Sequence, residues 1–373
     1  MTISYDQTKD SVWGTSHAAT VKHWQDKFMR DLYGRSIWMP FMGSGPNDLD
    51  SIIYVDNTLT TKAGDLVRFL LAPALSGSPL VGEDQQYLDN EEVLDFYSDD
   101  VKTEDIGNAV RTRGRMSETR IPGGGGGENS ALRALFNSSL TEWFNEYVLD
   151  AYISRFLGGD TSLTFGQTAS AASTYRVVYG GDATSTSDID KTDTFDLGLI
   201  DKCVAMAKER PAAGIPRIRP AKLGGLDSPD FGYLVMVHPR QVKDIRTNVS
   251  SGQWLDIVKF AADRGKDNPI FTGVTKNSIV GWYNGCMIME NKSLLTHTTW
   301  GSGSDVAGVT ALFLGAQAMG FCWCSKPRMT EEILDYKRKR GAAVEAIFGL
   351  DKLKMNSTDL ATIAIQTAAT STY

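Results

Sequence analysis

The sequence is poor in the residues that most enzyme chemistry needs. Its 373 residues include only four cysteines and four histidines. Cys203, Cys286, Cys322 and Cys324 fall in apolar segments, which predicts reduced, buried thiols and not a disulfide framework. Cys322 and Cys324 would point to opposite sides of a strand, and no second pair completes a zinc site. His17 and His23 are six apart and share no helix face, and His238, before Pro239, reads as structural. Neither a Gly-x-Ser-x-Gly elbow nor a Rossmann or phosphate-loop glycine signature occurs. Catalytic, cofactor-binding and metal residues are therefore expected to be none.

Long hydrophobic runs are also missing. None approaches the roughly 18 residues that cross a bilayer, so no membrane span is expected. The N-terminal residues lack the basic-then-apolar order of a secretory signal, which predicts synthesis and retention in a cytoplasm. Positive charge is in deficit, with 38 Lys and Arg against 45 Asp and Glu and a net charge of −7. That argues against the chain as a whole acting as a DNA-binding module, which needs clustered cations.

What is present suffices for a core. Hydrophobic residues make up 42%, with 8 Trp, 13 Tyr and 15 Phe, which excludes disorder throughout. The 36 glycines imply many turns and a mixed or β-rich architecture, and the length suggests two or three units or one elaborated fold.

Val12, Trp13, Val21, Trp24, Phe28 and Leu32 recur at helical spacing, followed by a breaker-rich run at 43–47. This N-terminal helix either packs on its own domain or reaches a neighbouring subunit. Leu66 to Leu71 reads as a strand. From Glu83 to Asp105 there are ten carboxylates and one lysine, Lys102; Arg111, Arg113, Arg115 and Arg120 follow. The carboxylates lack the loop pattern of a calcium site. Alternation predicts a long exposed hairpin with opposite charges on its two arms. A two-stranded ribbon is marginal alone in water, so a surface to lie against is expected.

Five glycines at 123–127 read as a hinge, since no lysine follows to make a phosphate loop. Apolar residues from Leu132 to Ala151 follow the 3.6 period, with Asn129 or Ser130 as cap and Gly158-Gly159 as stop. The spacing predicts a helix over 129–157, about 40 Å long. Residues 160–192, rich in small polar residues, read as a surface excursion around one strand at 175–179. A helix is expected over 195–208, capped by Thr194 or Asp193. Residues 231–325 read as an α/β unit with strands at 233–237, 286–290, 310–314 and 320–324 and a helix at 252–262. Two further strands, 343–348 and 360–365, close the chain.

The order of these parts resembles the major capsid proteins of tailed bacteriophages, with the Hong Kong 97-like fold, and within them the N4-like podovirus type. The residues that carry the resemblance are Lys62-Ala63-Gly64-Asp65-Leu66-Val67-Arg68-Phe69, Val81-Gly82-Glu83-Asp84, Asn90-Glu91-Glu92 and Arg113-Gly114-Arg115-Met116-Ser117-Glu118-Thr119-Arg120. Asn268 to Gly273, Leu314 to Ala318, Asp335-Tyr336-Lys337 and Gly341 to Val344 add to it. The likeness runs from about residue 50 to 368.

The resemblance implies an α+β fold in five parts: an N-terminal arm (1–58), an E-loop hairpin (59–122), a peripheral domain with its spine helix (123–199), an axial domain (200–325) and C-terminal strands returning to the peripheral domain (326–373). It implies self-assembly through hexamers and pentamers into an icosahedral shell around double-stranded DNA, touched without sequence specificity. A portal protein and a decoration or cement protein would be partners, and the virion would be its location. Candidate inter-subunit contacts are Arg111, Arg113, Arg115 and Arg120, Glu83, Asp84, Glu91 and Glu92, and Trp24 and Phe28 of the arm. The alternative is a soluble α/β enzyme whose active site is split among loops, with Arg217, Arg219, His238 and Asp256 as candidates.

Overall fold

The computed structural model describes residues 28–32, 34–62, 64–72, 80–81, 91, 96–114, 130–209, 215–223, 231–248, 278–336 and 339–369. In chain order the elements begin with β1 (Ile53–Asp56), β2 (Leu66–Leu71) and β3 (Tyr97–Arg111). Helix α1 (Ser130–Trp143) continues through a π-helical stretch, Phe144–Asp150, into α2 (Ala151–Gly158). Then come β4 (Thr164–Phe165), β5 (Gln167–Thr168), β6 (Val177–Tyr179), α3 (Leu197–Lys208), β7 (Ala221–Lys222), β8 (Phe231–Val237) and α4 (Pro239–Asn248). The remainder is β9 (Ile279–Tyr283), β10 (Cys286–Glu290), β11 (Thr296–Trp300), β12 (Val306–Leu314), β13 (Met319–Leu334), β14 (Lys339–Lys352), β15 (Lys354–Met355), β16 (Thr358–Asp359) and β17 (Thr362–Ala368).

The described residues form two compact units. The smaller takes its described residues from within 1–35, 105–145 and 326–346, the larger from within 36–104, 146–325 and 347–373. A five-stranded sheet has the order β1-β13-β14-β3-β2.

The larger unit is organised by an eight-stranded mixed sheet, β6-β17-β12-β8-β10-β9, with β11 added to β12 and β7 to β8. β8 pairs in parallel with β10 and antiparallel with β12. Nearly every residue of β8, β10, β12 and β17 is buried. That two-sided burial is why these strands read as continuous apolar runs and not as alternating ones. Asn284 and Gly285 turn β9 into β10 with φ of 45° and 75°, the left-handed pair that tight hairpins select. Gly159 ends α2 in the left-handed conformation at φ 77°, as its sequence position predicts.

In the smaller unit, burial alternates along β14, with Ala342, Val344 and Ala346 inside and Gly341, Ala343 and Glu345 on the more open face. Phe28, Leu32, Phe136 and Leu140 are also buried in this unit.

Three local expectations change. Residues 160–192 are not a surface excursion: Phe165, Ala169, Arg176, Val178 and Ile189 are buried within the larger unit. Their small polar neighbours supply turns and hydrogen bonds between these anchors, which composition alone does not separate from a solvated loop. Asp196 caps α3, its carboxylate accepting from the Leu199 amide at 3.0 Å. Asp193 is occupied instead by the Asp190 amide at 2.7 Å. The last two strands also part company: β14 lies beside β3, whereas β17 pairs with β12 and β6. The helix expected over 252–262 and the glycine run at 123–127 lie outside the described residues.

Candidate functional site

β2 and β3 pair antiparallel in the register Leu66↔Lys102 to Leu71↔Tyr97. Val67, Phe69 and Leu71 face inward, while Leu66, Arg68 and Leu70 are exposed. Cross-strand from Arg68 is Asp100, and the two form a bidentate pair at 2.7 and 2.8 Å. Arg68 holds the Asp100 carboxyl below its usual range. Part of the acidic arm is therefore satisfied inside the hairpin by a cation that composition does not single out.

Arg111 ends β3, exposed, and Arg113 follows, also exposed. Between them Thr112 is buried, its amide donating to the Arg340 carbonyl at 2.8 Å while its hydroxyl accepts from the Arg340 amide at 3.0 Å. This pins the basic arm to the start of β14. Arg328 of β13 and Glu345 of β14 form an ion pair on the same sheet. A pocket of about 370 Å³ opens where the three strands meet, with Ala109, Gly341 and Ala343 among its lining and Arg111 and Glu332 as its charged members.

Of the other expected contacts, Glu91 is exposed and Phe28 is buried. Glu83, Asp84, Glu92, Arg115, Arg120 and Trp24 lie outside the described residues.

Of the candidates of the enzyme reading, His238 and Arg219 are held by separate structural contacts. His238 Nδ1 accepts from the Arg240 amide at 3.2 Å, at the start of α4. Burial, with Arg240 nearby, pushes this imidazole down to about 4, so it is neutral at physiological pH. Arg219 donates to the Gln317 side chain at 2.6 Å and to the Leu49 carbonyl at 3.3 Å. Arg217 is exposed, and Asp256 lies outside the described residues. Cys286 and Cys322 are buried, and burial raises both thiols to about 12, as inert thiols should be. Among the described residues no group of three His, Cys, Asp or Glu is arranged to hold a metal.

Sequence reasoning missed a buried charge network in the larger unit. Lys352 Nζ lies 2.9 Å from Asp359 Oδ2 and 3.3 Å from the Ala171 carbonyl. Asp359 Oδ2 also accepts from the Ser173 amide at 3.0 Å. Arg176, wholly buried, donates to the Asp359 carbonyl at 3.1 Å and to the Pro216 carbonyl at 2.6 Å. These bonds stitch the 160–192 segment to the β15–β16 turn. The available signal was a cation inside each of two apolar runs, Arg176 and Lys352.

Comparison with known proteins places this geometry. The family described as "Phage capsid protein" matches residues 13–371. The major capsid protein of Pseudomonas phage KPP25 is 27% identical over 170 residues, which span 45% of this chain and 42% of that protein. The chain therefore matches less than half the length of that curated relative. Among solved structures, the capsid of Ralstonia phage GP4 superposes with a TM-score of 0.77 at 23% identity, over 100% of this chain and 99% of that one. The cyanophage Pam1 capsid asymmetric unit superposes at 0.67 with 19% identity, over 100% of both chains. The fold shared with these structures is the Hong Kong 97-like one that the order of sequence motifs implies.

Proposed function

Because the chain belongs to the phage capsid protein family, we propose that it is the coat subunit of an icosahedral shell, assembling through hexamers and pentamers around double-stranded DNA. The observation that carries the reading is the family match over residues 13–371 together with a full-length superposition on a phage capsid at a TM-score of 0.77. On this reading the chain is a structural protein made in the host cytoplasm and carried in the virion. The β2–β3 hairpin is the stem of an E-loop lying across a neighbour, and α1–α2 is the spine helix.

The physical features suit such a role. A shell is held by many weak contacts of fixed geometry. Exposed charge pairs contribute only about 0–1 kcal/mol each, yet they set register and reject wrong partners. Glu104 and Asp105 on one stretch of β3 and Arg111 and Arg113 at its end are exposed charges of that kind. A net charge of −7 disfavours tight binding of the subunit to packaged DNA, which is touched without sequence readout. Portal and decoration proteins, and the N4-like affiliation, belong to the same proposal.

Mass spectrometry of purified virions tests it. The chain should be the dominant protein, at hundreds of copies per particle. Its absence from virions, or presence at a few copies, would remove the coat assignment.

A further inference from the structure

We infer that the end of the β13–β14 hairpin docks onto a second copy of this chain, with Tyr336 of one copy entering the pocket beside Arg111 and Glu332 of the other. The inference rests on the shell reading and names one of its contacts.

Tyr336 is wholly exposed. Asp335 and Tyr336 are consecutive left-handed residues, with φ of 53° and 49°. Turn chemistry at such positions selects Gly, Asn or Asp, and a bulky side chain there is disfavoured, by roughly 1–2 kcal/mol. Asp335 fits the rule and is tied to Lys339 at 3.1 Å. Tyr336 breaks it, and its ring gains no burial inside the chain in return. A local rule broken without local compensation points to a contact outside the chain.

The same unit carries a receptor for such a ring. The pocket of about 370 Å³ falls within the size of sites that take small organic groups. Ala109, Gly341 and Ala343 bring no bulky side chain to it. Arg111 supplies a cation for the face of an aromatic ring, and Glu332 an acceptor for a phenol hydroxyl.

Charge specifies what presents the ring. The pocket's cation, Arg111, and its acceptor, Glu332, suit a ring that carries a hydroxyl, which the exposed Tyr336 of another copy presents. A knob and a receptor carried by one chain form a contact that every copy can both give and receive.

The experiment compares assembly of purified wild-type chain with three variants by light scattering, with thermal unfolding as the check on folding. Tyr336→Gly relieves the left-handed backbone, so its unfolding temperature should match or exceed wild type while shell yield falls at least tenfold. Ala343→Phe fills the pocket from the open face and should block assembly to the same extent with Tyr336 in place. Tyr336→Phe keeps the ring and should retain most of the yield. Wild-type yield from both Tyr336→Gly and Ala343→Phe would overturn the inference alone. Failure of the wild-type chain to form shells would overturn the shell reading and this inference with it.

Discussion

Lys352 and Asp359 face each other at 2.9 Å, and neither side chain reaches solvent. Burial pushes the Lys352 ammonium below its usual range, while Asp359 beside it opposes that shift. Arg176 bonds to the backbone carbonyl of the same aspartate. The pair therefore fixes the β15–β16 turn against the segment that runs into β6.

Removing the anion alone should be costly. Asp359→Ala leaves Lys352 and Arg176 as buried cations, and the expected loss is about 3–5 kcal/mol. Denaturant unfolding of the isolated subunit measures it. The paired change Lys352→Met with Asp359→Leu should recover much of the loss. A single variant within about 1 kcal/mol of wild type would show that the pair does not hold the turn.

Asp150, at the end of the π-helical stretch, should make stability depend on pH. Burial raises its carboxyl to about 7, against a backbone bond from Ile37 and the pull of Lys292, with Glu146 adding to the rise. Between about pH 4 and 7 the unfolded chain has released a proton that the folded chain keeps, so stability falls as pH rises through that window. Asp150→Asn should flatten this slope and raise stability at pH 7.5 by up to about 4 kcal/mol, with no difference below pH 4. Parallel pH profiles for the two proteins would contradict the assignment.

Gly308 of β12 lies under the Trp300 ring, which a Cβ at that position would strike. The ring cannot easily swing aside, because it stacks on His297 at 4.4 Å. Gly308→Ala should cost at least about 1–3 kcal/mol and shift tryptophan fluorescence toward longer wavelength. An unchanged unfolding temperature would mean that β11 accommodates the methyl group.

Reversal of Arg113, Arg115 and Arg120 to Glu, leaving Arg111 at its pocket, should keep the subunit folded and lower shell yield, most strongly at low salt. Normal yield from the triple variant would remove the basic arm from the inter-subunit contacts.

Much of the fold was legible because periodicity is local. The apolar spacing around Leu140 and Val148 gives the helix that runs from Ser130 to Gly158, and the unbroken apolar runs of β8 and β12 mark central strands. What escaped depends on contacts distant in sequence. Nothing near Asp359 announces a partner in Arg176, and nothing near Arg68 announces Asp100 across the ladder. The sheet that β17 joins is likewise a matter of topology. The run of carboxylates and the arginines after it were visible as composition, but not their pairing: Asp99, Asp100, Glu104, Asp105 and Arg111 lie on one strand, β3, between β2 and β14, and not on two arms of one hairpin.

Cryo-electron microscopy of the purified chain under assembling conditions decides whether it builds a shell. Closed icosahedral particles are expected, with density that takes this fold in every hexamer and pentamer position. A stable monomer or dimer under all conditions, or open tubes with no closed shells, would contradict it.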